Sequence, residues 1–193
     1  MGVGVECGYI RKSVAGTKKL LDALHRTEKL DFILLSVHSV NGLDPYDKEY
    51  FEGRTLREAY RTYLESVLES VESGLPYHAV GHIGYVWKYN DRPVMQADDF
   101  PALCDAVLTA IIRQGRGIEI NTSPLAARGE TLPSASYIKR YVELGGRLVT
   151  FGSDAHAPGA LAQGFGQARE IALACGVREY AVFKKGEPEM TSL

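Results

Sequence analysis

Hydrophobic residues recur along this chain with two alternating periods. Short runs of apolar and β-branched residues alternate with longer stretches in which leucine, valine and tyrosine return every three or four positions. The first pattern is typical of buried strands and the second of amphipathic helices. The pattern predicts strands over residues 3–6, 32–37, 77–82, 117–121, 147–151 and 179–183. It predicts helices over residues 16–30, 55–73, 99–114, 134–144 and 160–174.

Five strand–helix units followed by a last strand predict an α/β fold built on parallel strands, either a sheet or part of a barrel. Five units are too few to close an eight-stranded barrel. The length of 193 residues favours a single domain over residues 1–193, which is long enough to bury a substantial core.

Polar residues suited to metal binding stand at or near the ends of five of the predicted strands. Asp154 and His156 follow the run that ends at Phe151, and a carboxylate with an imidazole suits Zn, Fe or Mn. Each of the other strands adds one such residue, namely Glu6, His38, His82 and Glu119. Any one of them alone is more easily explained as an ordinary polar loop residue. Because the carboxyl ends of parallel strands converge on one face, the whole set favours a metal site.

Two loop cations could add phosphate contacts to such a site. Lys88 and Arg128 follow the strands that carry His82 and Glu119, although loop cations are more often solvated surface charges. Aromatic residues near Lys88 are explained equally well as pocket walls or as packing residues. They are Tyr85, Trp87 and Tyr89.

The composition of the chain limits the classes of binding partner that can be expected. The 22 basic and 24 acidic residues are mixed along the chain without a basic stripe, so nucleic acid is not expected to bind. The apolar runs are shorter than the ~18 residues of a membrane span, and no signal-peptide pattern is visible. Cys7, Cys104 and Cys175 show no C-x-x-C spacing, which favours packing roles and a reducing cytoplasm. Composition does not specify an oligomeric state.

Five segments resemble, in this order, the histidinol-phosphatases of the PHP (polymerase and histidinol phosphatase) superfamily. They are Gly4-Val5-Glu6, Ser36-Val37-His38, Gly81-His82-Ile83, Glu119-Ile120-Asn121-Thr122-Ser123 and Gly152-Ser153-Asp154-Ala155-His156. Together they extend over nearly the whole chain, and the last two are the more specific. The resemblance implies a distorted (β/α)7 barrel with a trinuclear Zn, Fe or Mn site at the carboxyl ends of its strands. It implies a small-molecule phosphate ester as the partner.

The resemblance also implies roles for individual residues. Glu6 matches a carboxylate that bridges two metals, and His38 and His82 match ligands of single metals. Asp154 and His156 match the last ligand pair, and both are candidate catalytic residues. Asp154 is also expected to lie beside the attacking water. Glu119 is expected either to support the ligands from behind or to contact the substrate, as Lys88 and Arg128 would.

The chain departs from the family in one respect. Members of the family open with a His-x-His strand, whereas the five histidines of this chain include none before His25. We therefore expect a partial barrel that lacks the first strands and about half of the metal ligands, and we expect this chain alone to be a poor catalyst.

Three functions follow from these features. The leading hypothesis is a metal-dependent phosphomonoesterase that hydrolyses L-histidinol phosphate in histidine biosynthesis. A second is another PHP-type phosphoesterase or nuclease, which the lack of a basic track disfavours. A third is a truncated fragment that binds metal without catalysis, which the missing His-x-His segment favours.

Overall fold

A five-stranded parallel sheet forms the centre of the computed structural model, which describes residues 2–28, 30–89 and 91–193. The strands follow one another across the sheet in chain order, as expected when each helix crosses over to a neighbouring parallel strand. They are β1 (Gly4–Gly8), β2 (Phe32–Ser36), β3 (Ala79–Val80), β4 (Gly117–Asn121) and β5 (Val149–Gly152). The predicted parallel α/β architecture is confirmed, and within the described residues the sheet stays open between β1 and β5.

One or two helices follow each of these strands along the chain. They are α1 (Val14–Glu28), α2 (Leu56–Glu72), α3 (Pro101–Arg113), α4 (Leu125–Arg128), α5 (Ala135–Glu143) and α6 (Phe165–Ala174). Helix α2 begins at a capping box in which the Thr55 hydroxyl accepts from the Glu58 amide and the Glu58 carboxylate accepts from the Thr55 amide. The predicted helix 160–174 starts later, at Phe165, because Gly164 before it has a left-handed backbone with φ of 77°.

Successive side chains of each strand point alternately into the buried core and toward the opposite face of the sheet, here called the concave face. The buried side chains that point toward the helices include Leu35, Val80 and Ile118, together with Cys7 in β1. Glu6 and Gly8, on either side of Cys7, face the concave side and are exposed. The packing role expected for Cys7 therefore agrees with its position, and the polar candidates share the other face.

The last predicted strand does not continue the parallel sheet. It forms β6 (Glu179–Lys184), which pairs antiparallel with β7 (Glu187–Ser192) in a separate hairpin. The strand predicted over residues 179–183 is therefore present, but it does not join the parallel sheet, and β7 was not predicted. All residues of β7 are exposed, so this strand has no apolar alternation that could have revealed it.

The hairpin packs across the concave face at the amino ends of the strands. Phe183 packs on Phe32 with ring centroids 5.0 Å apart, and the amides of Lys185 and Gly186 donate to Asp31. Between hairpin and sheet lies a mainly apolar cavity of about 420 Å³, which Glu119 lines. Toward β5, Tyr180 of the hairpin packs against Phe151 with ring centroids 5.7 Å apart. In the described part of the chain, no helix has the length and apolar character needed to cross a bilayer.

Candidate metal centre

Three of the predicted ligands meet at the carboxyl ends of β1, β2 and β3. Glu6 Oε1 lies 3.0 Å from His82 Nε2 and 3.4 Å from His38 Nε2, and the two imidazole nitrogens are 3.1 Å apart. Donor atoms around a tetrahedral zinc ion, with bonds of about 2.0–2.1 Å, are separated by about 3.3 Å. One carboxylate and two imidazoles at this spacing therefore fit a single Zn-like cation.

The strand ladder and one sharp turn bring these groups together. Glu6, the central residue of β1, pairs in register with Leu34 of β2, and its side chain reaches His38, which follows β2. His82 comes directly after β3, where its φ of 27° turns the chain out of the strand. A Cβ at the preceding Gly81 would lie 2.8 Å from the Ser36 hydroxyl and 3.0 Å from the Leu34 side chain, so a larger residue there would crowd both.

The electrostatics of the three donors suit a cation. The hydrogen bond from His82 lowers the pKa of Glu6 to about 2, so this carboxylate is charged at neutral pH. Burial lowers the pKa of His38, against the opposing effect of Glu6, Asp44 and Asp154, and this favours the neutral imidazole that metals bind. The His38 ring stacks on His82 and also packs against Tyr85.

Glu119 lies behind this group. Its side chain is buried, and its Oε2 accepts hydrogen bonds from the His82 backbone amide at 2.9 Å and from Asn121 Nδ2 at 3.2 Å. Burial raises the pKa of Glu119. Its other oxygen packs over Gly152, where an added Cβ would approach Oε1 to 1.9 Å.

Asp154 forms an ion pair beside the three donors. Its Oδ2 lies 2.6 Å from Nζ of Lys88, whose side chain is only 8% exposed. Burial lowers the pKa of Lys88, but the hydrogen bond and charge of Asp154 outweigh it, so the pKa is raised and Lys88 stays protonated. The ammonium group also lies 5.1 Å from the centre of the Tyr89 ring. This pair places one cation and one carboxylate together at the carboxyl end of the sheet.

The two remaining candidates, His156 and Arg128, lie outside the group of three donors. The His156 side chain is 88% exposed, with Nδ1 3.8 Å from the nearer carboxylate oxygen of Asp154 and 2.9 Å from the Asp154 main-chain oxygen. Arg128 donates to the Arg92 carbonyl, lies near Asp91 and packs over the ring of Trp87 at 5.8 Å. The structure thus gathers Glu6, His38 and His82, pairs Asp154 with Lys88, and leaves His156 in solvent.

Two residues near the site were not identified as functional from the sequence. The charge of Asp44 acts on His38, and its carboxylate interacts with the Tyr85 hydroxyl. Its position in a polar loop before Pro45 looked like ordinary turn chemistry. Gly152 looked like part of a motif, and only the packing of Glu119 explains why it is glycine. Of the three aromatic residues near Lys88, Trp87 is fully buried in the core.

Known proteins that resemble this chain carry histidinol-phosphatase names. A probable histidinol-phosphatase of Clostridium acetobutylicum is 29% identical over 179 residues, covering 91% of this chain and 68% of that protein. The histidinol-phosphatase of Lactococcus lactis is 25% identical over 185 residues, covering 94% of this chain and 67% of that protein. The chain therefore spans about two-thirds of the length of these relatives.

A solved structure confirms the type of fold. The crystal structure of the Lactococcus lactis histidinol phosphate phosphatase, complexed with Zn, L-histidinol and phosphate, superposes with a TM-score of 0.82 at 23% identity. The match covers 97% of this chain and 71% of that one. A sequence model of the PHP domain matches residues 1–123, which is more than half of the chain and includes Glu6, His38, His82 and Glu119. This chain therefore belongs to the PHP domain family.

Proposed function

We propose that this protein is a metal-dependent phosphomonoesterase that hydrolyses L-histidinol phosphate to L-histidinol and phosphate, a step of histidine biosynthesis. The observation that carries the proposal is the convergence of Glu6, His38 and His82 to within 3.4 Å of one another, beside the Lys88–Asp154 pair. The names of the relatives and the ligands of the Lactococcus lactis structure support the choice of substrate.

Glu6, His38 and His82 would hold a divalent cation, for which Zn, Fe and Mn are the candidates. The family resemblance implies three ions in all, with Glu6 shared between two of them and with Asp154 and His156 as further ligands. Bound cations of this kind lower the pKa of a water molecule and neutralise phosphoryl oxygens during in-line attack.

The chain's own residues would orient the reactants. Glu6 carries its negative charge throughout the neutral range, because the hydrogen bond from His82 keeps its pKa at about 2. Asp154 is the proposed group that orients the attacking water and accepts its proton. Lys88, protonated and 2.6 Å from Asp154, is placed to bind a phosphoryl oxygen when the ester enters. Arg128 would add a second such contact only by leaving Asp91 and the Arg92 carbonyl.

The proposed place of action is the cytoplasm. The three cysteines are free thiols, which suits a reducing compartment. A step of amino-acid biosynthesis that acts on a small phosphate ester fits the same compartment.

Phosphate release by the purified chain, loaded in turn with Zn, Mn and Fe(II), tests the proposal. We expect release from L-histidinol phosphate, which should be slow in a chain without the His-x-His segment of the family, to exceed release from p-nitrophenyl phosphate and from an oligonucleotide with a 3′-phosphate. Glu6→Gln should abolish the activity, whereas Glu170→Gln on the exposed face of α6 should leave it unchanged. Preference for the oligonucleotide, or equal turnover by Glu6→Gln, would contradict the assignment.

Metal binding without turnover is the second candidate. The exposure of His156 favours it, because this predicted ligand does not join the three donors. Under this alternative the chain would bind zinc and release no phosphate from any of the three substrates.

A further inference from the structure

His82 is held in an unusual backbone conformation. Its φ of 27° lies in the left-handed region, which residues with a side chain rarely adopt without support from their surroundings. This conformation points its Nε2 at Glu6 and His38. The other ring nitrogen, Nδ1, is buried and has no hydrogen-bond partner among the described residues. The direction of this imidazole therefore depends on the backbone turn, on the Glu6 contact and on stacking against His38, without a hydrogen bond to Nδ1 among the described residues.

The side chain of Glu119 is the group that meets this backbone. Its Oε2 accepts from the His82 amide at 2.9 Å, so the turn after β3 is tied to the centre of β4. The amide of Asn121 donates to the same oxygen at 3.2 Å, which fixes the carboxylate from its own strand. Both donors use the same carboxylate oxygen, and the side chain is buried. Glu119 thus has contacts suited to holding His82 rather than to binding a substrate.

Gly152 supplies the space that Glu119 occupies. The three atoms nearest to an added Cβ all belong to Glu119: Oε1 at 1.9 Å, Cδ at 2.8 Å and Cγ at 3.3 Å. Any side chain at position 152 would therefore push Glu119 away from its present place. Glycine in the segment that leads to Asp154 is explained by this packing.

We propose that Glu119 is a positioning residue for the metal centre, which acts by holding the His82 backbone amide, and that Gly152 is required because it leaves room for the Glu119 carboxylate. The inference rests on the metal centre of the proposed function, but not on its substrate or on turnover. Neither Glu119 nor Gly152 is one of the three donor residues.

Zinc affinity is the first test, measured by competition with a chromophoric chelator in the absence of substrate. Glu119→Ala should weaken zinc binding by about 10- to 100-fold, the usual effect of removing a group that orients a ligand. Glu119→Gln should retain affinity within about 3-fold, because its amide oxygen still accepts from the His82 amide. Glu170→Ala, which removes an exposed carboxylate from α6, is the control and should change nothing. The visible spectrum of bound Co(II) should change in Glu119→Ala and be preserved in Glu119→Gln.

A double-mutant cycle is the second test, and it remains informative if one single variant folds poorly. Gly152→Ala should weaken zinc binding by displacing Glu119, whereas Gly166→Ala, whose added Cβ has no neighbour within 4 Å, should not. Because the clash at position 152 is with Glu119 alone, Glu119→Ala removes it. The double variant Glu119→Ala/Gly152→Ala should therefore bind zinc no more weakly than Glu119→Ala.

Three results would overturn the inference. Additive losses in the cycle would show that Gly152 acts independently of Glu119. A Gln variant as weak as the Ala variant would show that hydrogen-bond acceptance is not what matters. Failure of the wild-type chain to bind zinc would remove the centre itself. A chain that binds zinc with the expected pattern but does not hydrolyse histidinol phosphate contradicts only the proposed function.

Discussion

Two parts of the candidate site carry the same kind of side chain but are organised differently. At the ends of β1 to β3, Glu6, His38 and His82 lie within 3.4 Å of one another. In the loop after β5, Asp154 pairs with Lys88 and His156 extends into solvent. The first group is positioned by a parallel ladder and by the buried Glu119, whereas His156 lies in a loop beyond the last hydrogen bonds of the sheet. The difference shows that strands held in a ladder keep potential metal donors together without a metal, whereas a loop does not hold His156 near them.

The largest expected effect is on zinc affinity, when one of the three donors that lie together is removed. His82→Ala should lower zinc affinity by more than ~100-fold, because even residues that only orient a ligand contribute about 10- to 100-fold. Chelator competition measures the affinity, and circular dichroism in EDTA checks that the metal-free fold is kept. Affinity within a few-fold of the wild type would mean that zinc does not bind at these three donors.

Asp154→Asn should lower kcat by at least ~100-fold, at the low end of general acid–base contributions. The substitution keeps the shape of the side chain but removes the charge and the ability to accept a proton. Steady-state kinetics on samples of measured metal content would test it, with Asp22→Asn on the exposed face of α1 as the control. A fully metallated Asp154→Asn protein with unchanged kcat would end the assignment of Asp154.

Lys88→Met should destabilise the metal-free protein by about 1.5–3 kcal/mol, because a mostly buried carboxylate loses a charged hydrogen-bond partner. Lys184→Met provides a matched control. Its ion pair with Glu189 has the same 2.6 Å separation but is exposed, so the loss should be below about 1 kcal/mol. Urea unfolding in EDTA measures both. Equal losses would show that burial does not distinguish the two pairs.

His156→Ala should have the smallest effect on stability. Its side chain is 88% exposed, and such substitutions usually change the free energy of unfolding by less than ~0.5 kcal/mol. If zinc draws this residue inward, as the family resemblance implies, the variant should also bind zinc more weakly than the wild type, though less so than His82→Ala. Urea unfolding with and without zinc separates the two effects. Unchanged zinc affinity would exclude His156 as a ligand.

The parallel strand–helix series was accessible from the hydrophobic pattern, because each buried strand is a short apolar run, but the order of the strands across the sheet was not predicted. The hairpin was not, since β7 is exposed along its whole length and β6 resembles one more strand of the series. Glu6, His38 and His82 were recognisable because the carboxyl ends of parallel strands share one edge. The support that Glu119 provides was only one of two roles considered, because its contact with the His82 amide spans 37 positions of the chain.

The sequence by itself determined the strand–helix alternation and placed the ligand-type residues at the strand ends, because both follow from local periodicity and chain connectivity. Only the tertiary structure decided which of those residues meet. The meeting of Glu6 with His82 depends on the parallel register, on the left-handed turn at His82 and on a buried carboxylate packed over Gly152. These are contacts between segments far apart in the chain, and a pattern of neighbouring residues carries no information about their distances.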